Sequence, residues 1–202
     1  MKLHGSMTSP YVRKVRVLLE EKQLPYEFVR ENPRALDSQT QGLTPLGKVP
    51  VLQLDTGRTM IDSPVILDYL DGLSGEPLLP VRGEARWDVL HWTSLADGLL
   101  QSLITRLLEL RRPEAQRSSE SQAWEERRIA RVLDALAQAD TSRGFLVAGR
   151  LSLADLTVGV ALEYLDWRYP HDWRARHPGL GAWLATLSAR PSFTRTPLDT
   201  TP

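Results

Sequence analysis

The first half of the chain alternates short apolar runs with an amphipathic helical pattern. Met1–Ser6 and Tyr26–Val29 predict two strands, and the segment between them carries apolar residues at helical spacing. A right-handed crossover through that helix makes the two strands parallel. Ser9-Pro10 suits the N-cap and the first position of the helix. The polar segment Arg30–Leu46 predicts a loop with one helical turn near Arg34–Asp37.

A hairpin and a helix start follow. Val49–Leu54 is a β-branched apolar run, an Asp-Thr-Gly-Arg turn comes next, and Thr59–Ile61 returns as a second strand. Asp62 or Ser63 then caps a helix that has Pro64 at its first position. A helix N-terminus carries about half a positive charge and unpaired N–H groups. This one therefore suits an anionic ligand group such as a carboxylate.

Pro50 interrupts the first strand of that hairpin. Proline cannot donate a ladder hydrogen bond, so Pro50 must lie at an edge, at a strand start or in a special backbone turn. A cis peptide bond before it is one such arrangement. The elements up to this point make a compact α/β unit of about eighty residues.

The second half of the chain is helical in pattern. A linker rich in Ser, Gly and Pro occupies Leu73–Gly83, and Glu84–Arg112 then predicts one long helix that is apolar on more than one side. Ser118–Ala139 continues the pattern, and Pro178–Ala189 predicts the last amphipathic helix. Between them, Ser152 precedes an acidic residue by three positions in LSLAD, the form of a capping box that starts a buried helix. The predicted fold class is an α/β domain followed by an all-α domain.

Composition restricts the chemistry that this chain can perform. Of its 202 residues, 25 are Lys or Arg and 25 are Asp or Glu, so charge gives no reason to expect nucleic acid or an anionic membrane as a partner. Because there is no cysteine, disulfides, thiolate metal sites and a cysteine nucleophile are excluded. The four histidines lack metal-ligand spacing, so we expect no metal. The chain shows no signal-type segment and no membrane span, which predicts a soluble, cytoplasmic protein.

Four short motifs follow one another in an order that resembles the glutathione S-transferase family. They are Ser-Pro at the first helix, GKVPVL in the third strand, DSP at the next helix and the capping box LSLAD. The resemblance covers nearly the whole chain. It implies a thioredoxin-like, glutathione-binding N-terminal domain over residues 1–75 and an all-helical C-terminal domain over residues 84–202. It also implies glutathione as co-substrate and a homodimer, which the long apolar helix supports.

The resemblance assigns glutathione-binding roles to five residues. Lys48 would bind the glycyl carboxylate, and the backbone of Val49 would pair with the cysteinyl backbone beside a cis Pro50. Asp62 and Ser63 would hold the γ-glutamyl group at the helix N-terminus. Two positions depart from the family pattern, because Thr-Pro replaces Asn-Pro before the strand and Asp62 replaces a glutamate.

Ser9 matches the catalytic serine of the serine-type classes, which it shares with tau-like and several bacterial branches. Its implied role is to lower the pKa of the glutathione thiol. Thr8 is a competing hydroxyl one residue away, and Tyr11 does not occupy the position of the tyrosine-type classes. A plain N-cap is the alternative interpretation of Ser9.

The resemblance implies that the thiolate attacks a small hydrophobic electrophile or a peroxide, as in detoxification, in a pocket between the two domains. Helical spacing equally allows most of the candidate lining residues to be core. These candidates are Met7, Tyr11, Leu100, Ile104, Tyr164 and Trp167. The competing hypothesis is a non-catalytic binding or regulatory protein that keeps the same fold.

Overall fold

The computed structural model describes residues 1–169 and 171–198, which form two compact units. The first unit contains Met1–Leu79 together with the segment from Ala189 onward, and the second contains Pro80–Ser188. The predicted domain 84–202 includes residue 170 and residues 199–202, which lie outside the described residues. The first unit thus consists of two stretches of sequence that the second unit separates along the chain.

A four-stranded mixed sheet organises the first unit, in the strand order β2-β1-β3-β4. Its strands are β1 (Lys2–Gly5), β2 (Glu27–Arg30), β3 (Val51–Gln53) and β4 (Thr59–Met60). β1 and β2 are parallel, whereas β3 is antiparallel to both β1 and β4. The predicted parallel pair and hairpin are confirmed. β3 begins after Pro50, so the proline occupies a position where no ladder donor is needed.

Three helices belong to the first stretch of this unit. They are α1 (Pro10–Glu21), α2 (Thr40–Leu43) and α3 (Ser63–Asp71). The expectation of a helical turn near Arg34–Asp37 is wrong, and the turn lies at α2. There the Ser38 hydroxyl accepts a hydrogen bond from the Thr40 N–H at 3.2 Å and directs the chain into the helix. α3 begins at Ser63, so Pro64 is its second residue rather than its first.

The two central strands form the core of the first unit together with α1 and α3, which pack against each other. Gly5 ends β1 at a point of close contact, because a Cβ there would lie 2.5 Å from Cγ1 of Val12. A larger residue at position 5 would therefore push the start of α1 away from the sheet. The fully buried apolar side chains of this core include Leu3, Val15, Leu18, Leu19, Val51, Leu52, Ile66 and Leu70.

The last described segment of the chain completes the first unit by packing α9 (Pro191–Thr194) against α1. Glu21, at the end of α1, accepts hydrogen bonds from the Arg190 guanidinium at 2.8 and 2.9 Å and from the Ser192 hydroxyl. Burial opposes ionisation of Glu21, but these hydrogen bonds and the charge of Arg190 outweigh it and hold its pKa below the ordinary value. A charged contact therefore joins residues 169 positions apart.

The second unit is helical, as predicted. Its elements are α4 (Glu84–Leu110), α5 (Ser119–Leu136), α6 (Leu153–Arg168), α7 (Trp173–Arg176) and α8 (Pro178–Ser188), with a 3-10 turn at Glu114–Gln116. α4 packs against both α5 and α6, as expected of a helix that is apolar on more than one side. Among the described residues, no helix is long and apolar enough to cross a membrane.

A capping box starts α6, as the sequence predicts. Asp155 is fully buried and accepts hydrogen bonds from the Ser152 N–H at 2.8 Å and the Ser152 hydroxyl at 2.7 Å. From outside the helix, the Leu146 N–H donates to the same carboxylate at 2.8 Å. Burial raises the pKa of Asp155, and the hydrogen bonds oppose that rise. One carboxylate therefore both caps α6 and holds the loop that precedes it.

Replacing Asp155 with alanine should destabilise the protein by about 3 kcal/mol. The change leaves two buried backbone N–H groups without their acceptor, and each such loss costs roughly 1–3 kcal/mol. Urea unfolding measures the effect, with Asp88→Ala on the exposed side of α4 as a control that should change little. Glutathione affinity per folded molecule should stay the same. A loss of affinity at unchanged stability would contradict a purely structural role.

Candidate functional site

Strand pairing brings three segments to one edge of the sheet. His4 of β1 pairs with Val51, so the end of β1 lies beside the start of β3. Leu52 pairs with Met60, so the end of β4 lies at the same edge. These positions adjoin the loop before α1, the segment before β3 and the start of α3. The segments that carry the predicted glutathione-binding residues and Ser9 therefore meet there.

Ser9 is the N-cap of α1. Its backbone is extended, and its Oγ accepts a hydrogen bond from the Val12 N–H at 3.3 Å. A hydroxyl has one proton to donate and two lone pairs, so this cap leaves the Ser9 O–H able to donate. Thr8 is exposed, and its hydroxyl lies 2.9 Å from the Ser6 hydroxyl. The two interpretations of Ser9, helix cap and donor to sulfur, are compatible in one side chain.

The segment before β3 contains the expected cis proline. The Val49–Pro50 peptide is cis, as the resemblance implies. Pro50 is buried and Val49 is half-buried. Lys48 is exposed, and it forms no ion pair with any other residue that the structure describes. An unneutralised ammonium group therefore lies one residue before the cis peptide.

The N-terminus of α3 is capped by a side chain but keeps one buried hydroxyl unsatisfied. Asp62 is the N-cap, and its Oδ1 accepts from the Ser63 N–H at 2.6 Å. The sequence did not indicate that the Ile61–Asp62 peptide is also cis. Ser63 is fully buried, and its Oγ has no hydrogen-bond partner among the described residues. A buried hydroxyl without a partner costs roughly 1–3 kcal/mol and is rare in folded proteins.

Sequence reasoning missed a hydrogen-bond network that holds the loop before Lys48. Glu31, just after β2, accepts from the Ser38 hydroxyl at 3.0 Å, and the Thr40 hydroxyl lies 2.9 Å from the same Ser38 oxygen. On its other side, the Glu31 carboxylate lies 3.6 Å from Nδ1 of the buried His4. No local pattern signals this network, because the pairing of β1 with β2 assembles it.

The candidate residues for the electrophile divide between the two units. Leu100 and Tyr164 are buried, with 0 and 3 % of their surfaces exposed, so Leu100 is part of the helical core. The Tyr164 and Trp167 rings meet edge to face with their centroids 5.8 Å apart. The half-buried candidates are Met7 and Tyr11 in the first unit and Ile104 and Trp167 in the second.

The chemistry available at the sheet edge matches a peptide with two anionic ends and a thiol. Lys48 and the N-terminus of α3 each suit a carboxylate, and Ser9 can donate a hydrogen bond to sulfur. In the described part of the chain, no group of three or more His, Cys, Asp or Glu side chains could hold a metal ion. Any thiol at this site would have to belong to a ligand, because the protein has no cysteine.

Known proteins resemble this chain over most of its length. The family profile described as "Glutathione S-transferase, N-terminal domain" matches residues 3–78, and the corresponding "C-terminal domain" profile matches residues 119–186. The GST-like protein YibF of Escherichia coli K12, whose activity is uncharacterised, is 36 % identical over 97 % of this chain and 98 % of its own length. The protein belongs to the glutathione S-transferase family.

Two solved structures confirm the fold class. A glutathione S-transferase of Methylobacillus flagellatus KT, solved with glutathione bound, is 36 % identical with a TM-score of 0.93, over 96 % of this chain and 98 % of that chain. A second glutathione S-transferase, from Methylobacterium radiotolerans JCM 2831, was solved in complex with glutathione sulfonate. It is 36 % identical with a TM-score of 0.91, over 96 % of this chain and 93 % of that chain. The chain therefore has a thioredoxin-like N-terminal domain and a helical C-terminal domain.

Replacing Ser63 with alanine should raise the free energy of unfolding by about 1 kcal/mol. The change removes a buried hydroxyl without a partner and keeps the N–H that Asp62 accepts from. Ser152→Ala is the matched control, because Ser152 is also buried but its hydroxyl donates to Asp155, so its loss should destabilise. Urea unfolding of both variants measures the contrast. Equal destabilisation would show that the Ser63 hydroxyl is satisfied in solution.

Proposed function

We propose that this protein is a serine-type glutathione transferase, resembling the tau-like and bacterial branches, that activates the glutathione thiol for attack on an electrophile or a peroxide. The observation that carries the proposal is the unsatisfied Ser63 hydroxyl at the N-terminus of α3. Relatives solved with glutathione or glutathione sulfonate bound support it. Detoxification in the cytoplasm is the proposed setting, since a chain without cysteine needs no oxidising compartment.

Each polar part of glutathione has a partner in this proposal. The γ-glutamyl carboxylate accepts from the Ser63 hydroxyl and from N–H groups at the start of α3, where the helix dipole favours an anion. Asp62 uses one oxygen as the cap, which leaves the other for the γ-glutamyl ammonium, directly or through water. Lys48 binds the glycyl carboxylate. The Val49 backbone, beside Pro50, pairs with the cysteinyl backbone.

Ser9 stabilises the thiolate by donating its O–H to sulfur while its oxygen continues to cap α1. A free thiol of pKa about 8.5 is roughly 3 % ionised at pH 7, and a two-unit depression makes it roughly 75 % ionised. This supplies about 25-fold more thiolate, but lower basicity reduces its nucleophilicity by roughly 8-fold, which leaves a net gain of about 3-fold. Most of the acceleration must therefore come from holding sulfur and electrophile together.

Ser9→Ala should reduce turnover at pH 7 by more than about 3-fold and move the rate profile to higher pH. The reason is that a thiol without its donor returns toward its free pKa and ionises later as pH rises. Ultraviolet absorbance of the bound thiolate against pH measures the midpoint in both proteins. Thr8→Ala is the matched control and should keep the wild-type midpoint. If the Ser9→Ala variant keeps the wild-type midpoint, Ser9 is only a helix cap. Thr8 or the N-terminus of α1 is then the group that activates the thiol.

Retention on immobilised glutathione, followed by turnover with a panel of electrophiles and peroxides, tests the function as a whole. Ser63→Ala serves as the variant with a weakened site, and we expect about tenfold lower affinity for glutathione. Turnover supports the transferase function. Binding without turnover favours the non-catalytic binding or regulatory protein. If the protein is not retained on glutathione, both hypotheses are ruled out.

We also propose a homodimer with an isologous two-fold interface. Trp87 on α4 and Val65 on α3 remain 63 and 50 % exposed, and large apolar side chains left open to water favour association. Sedimentation at micromolar concentration should find a species of about twice the chain mass of 22.8 kDa. A single species at the chain mass would refute the dimer.

A further inference from the structure

Two arginines at helix ends of the second unit lack a carboxylate partner. Arg168 is the last residue of α6, and Arg111 follows α4 as its C-cap. Neither forms an ion pair with another residue of the described chain. They differ in this from arginines of the same unit that each pair with an Asp or Glu, namely Arg106, Arg128, Arg174 and Arg176.

Arg168 is packed into an aromatic cluster. Its guanidinium carbon lies 3.2 Å from the centre of the Trp167 ring and 5.9 Å from that of Tyr164. Tyr164 is itself buried, with 3 % of its surface exposed. The Nε of Arg168 is buried and has no hydrogen-bond partner among the described residues. The terminal N–H groups of Arg168 are not buried in this way, so they are the donors that a ligand can reach.

Helix ends explain a positive charge at these positions but not the buried, unpaired Nε of Arg168. A cation at a helix C-terminus stabilises it by roughly 0.3–1 kcal/mol, and an exposed arginine suffices for that. Burying a charged N–H donor without an acceptor costs more, roughly 1–3 kcal/mol or above. Burial raises the pKa of Tyr164, while Arg168 and Arg111 act to lower it. A phenol whose pKa is not lowered is protonated at neutral pH, so the Tyr164 O–H can donate.

We propose that Arg168 and the Tyr164 hydroxyl bind the carboxylate of a planar aromatic acid whose ring packs beside Trp167. A guanidinium fork matches the two oxygens of a carboxylate, and the phenol adds a third donor. The aromatic side chains favour a ligand with a flat apolar body over a small inorganic anion. The conclusion that this ligand is a substrate rests on the proposed function. On that basis, the electrophile of this transferase carries an acid group.

The reaction is balanced with 4-chloro-3-nitrobenzoate as an example of such an electrophile. The thiolate sulfur of glutathione forms a bond to the ring carbon that bears chlorine, the carbon–chlorine bond breaks, and chloride leaves with the bonding pair. The thiol proton passes to solvent, and no oxidant or reductant is required. The carboxylate of the electrophile takes no part in the bond change, so Arg168 acts by positioning the ring.

Binding is measured first, without a reaction, by calorimetric titration of the full chain with 2-naphthoate and with the uncharged 2-naphthamide. The acid should bind at least about tenfold more tightly, and salt should weaken that preference. Arg168→Gln should abolish the preference. Arg106→Gln is the matched control and should keep it, because Arg106 also lies over an aromatic ring, that of Tyr169 at 3.9 Å, but is already paired with Glu126 at 2.9 Å. Equal affinity of the wild-type protein for acid and amide would overturn the proposal, whether or not the variants fold.

Turnover then separates this inference from the proposed function. KM for 4-chloro-3-nitrobenzoate should be about tenfold below that for the matched benzamide, and Arg168→Gln should remove this difference by raising KM for the acid about tenfold. Acid binding without turnover of either electrophile would overturn the proposed transferase function and support the carboxylate-binding site at Arg168. Turnover of both electrophiles with equal KM, unaltered in Arg168→Gln, would support the transferase function and overturn the carboxylate-binding site at Arg168.

Discussion

The antiparallel pairing of β3 with β1 determines where the proposed glutathione contacts lie. These strands are the centre of the sheet, so the chain before β3 must lie where β1 ends and α1 begins. Leu3 and Leu52 are paired and fully buried, and a slip of one residue would turn Leu52 away from Leu3 to the opposite face. The hydroxyl of Ser9 and the backbone of Val49 come to the same edge without needing a bond between them.

Side-chain caps begin α1, α3 and α6, yet their hydrogen bonds are satisfied to different degrees. Asp155 at α6 has both oxygens in use, and that helix start contributes to stability. Ser9 at α1 uses its oxygen and keeps its proton. At α3, Asp62 satisfies one N–H while the neighbouring Ser63 hydroxyl has no partner. The incompletely satisfied starts are the ones that face the proposed substrate, since a site must keep unsatisfied groups to bind with.

Local patterns predicted the elements, and tertiary packing decided what the patterns could not show. The caps at Ser9 and Ser152 involve residues within four positions, so the sequence displays them. The short turn was misplaced because its position depends on the Ser38 hydroxyl, which also donates to Glu31 seven residues away. The five residues proposed to bind glutathione were assigned from the family resemblance of the motifs. That Arg168 lies in an aromatic cluster without a carboxylate could not be predicted, because only packing decides which charges remain unpaired.

The contact of Glu21 with Arg190 and Ser192 has a consequence for how the chain is made. A ribosome delivers the sheet and α1 first, but the last segment that covers the end of α1 emerges only after the whole helical unit. The contiguous second unit can finish folding while the first still lacks a part of its own structure. In this protein, the domain that is synthesised first is therefore the domain that is completed last.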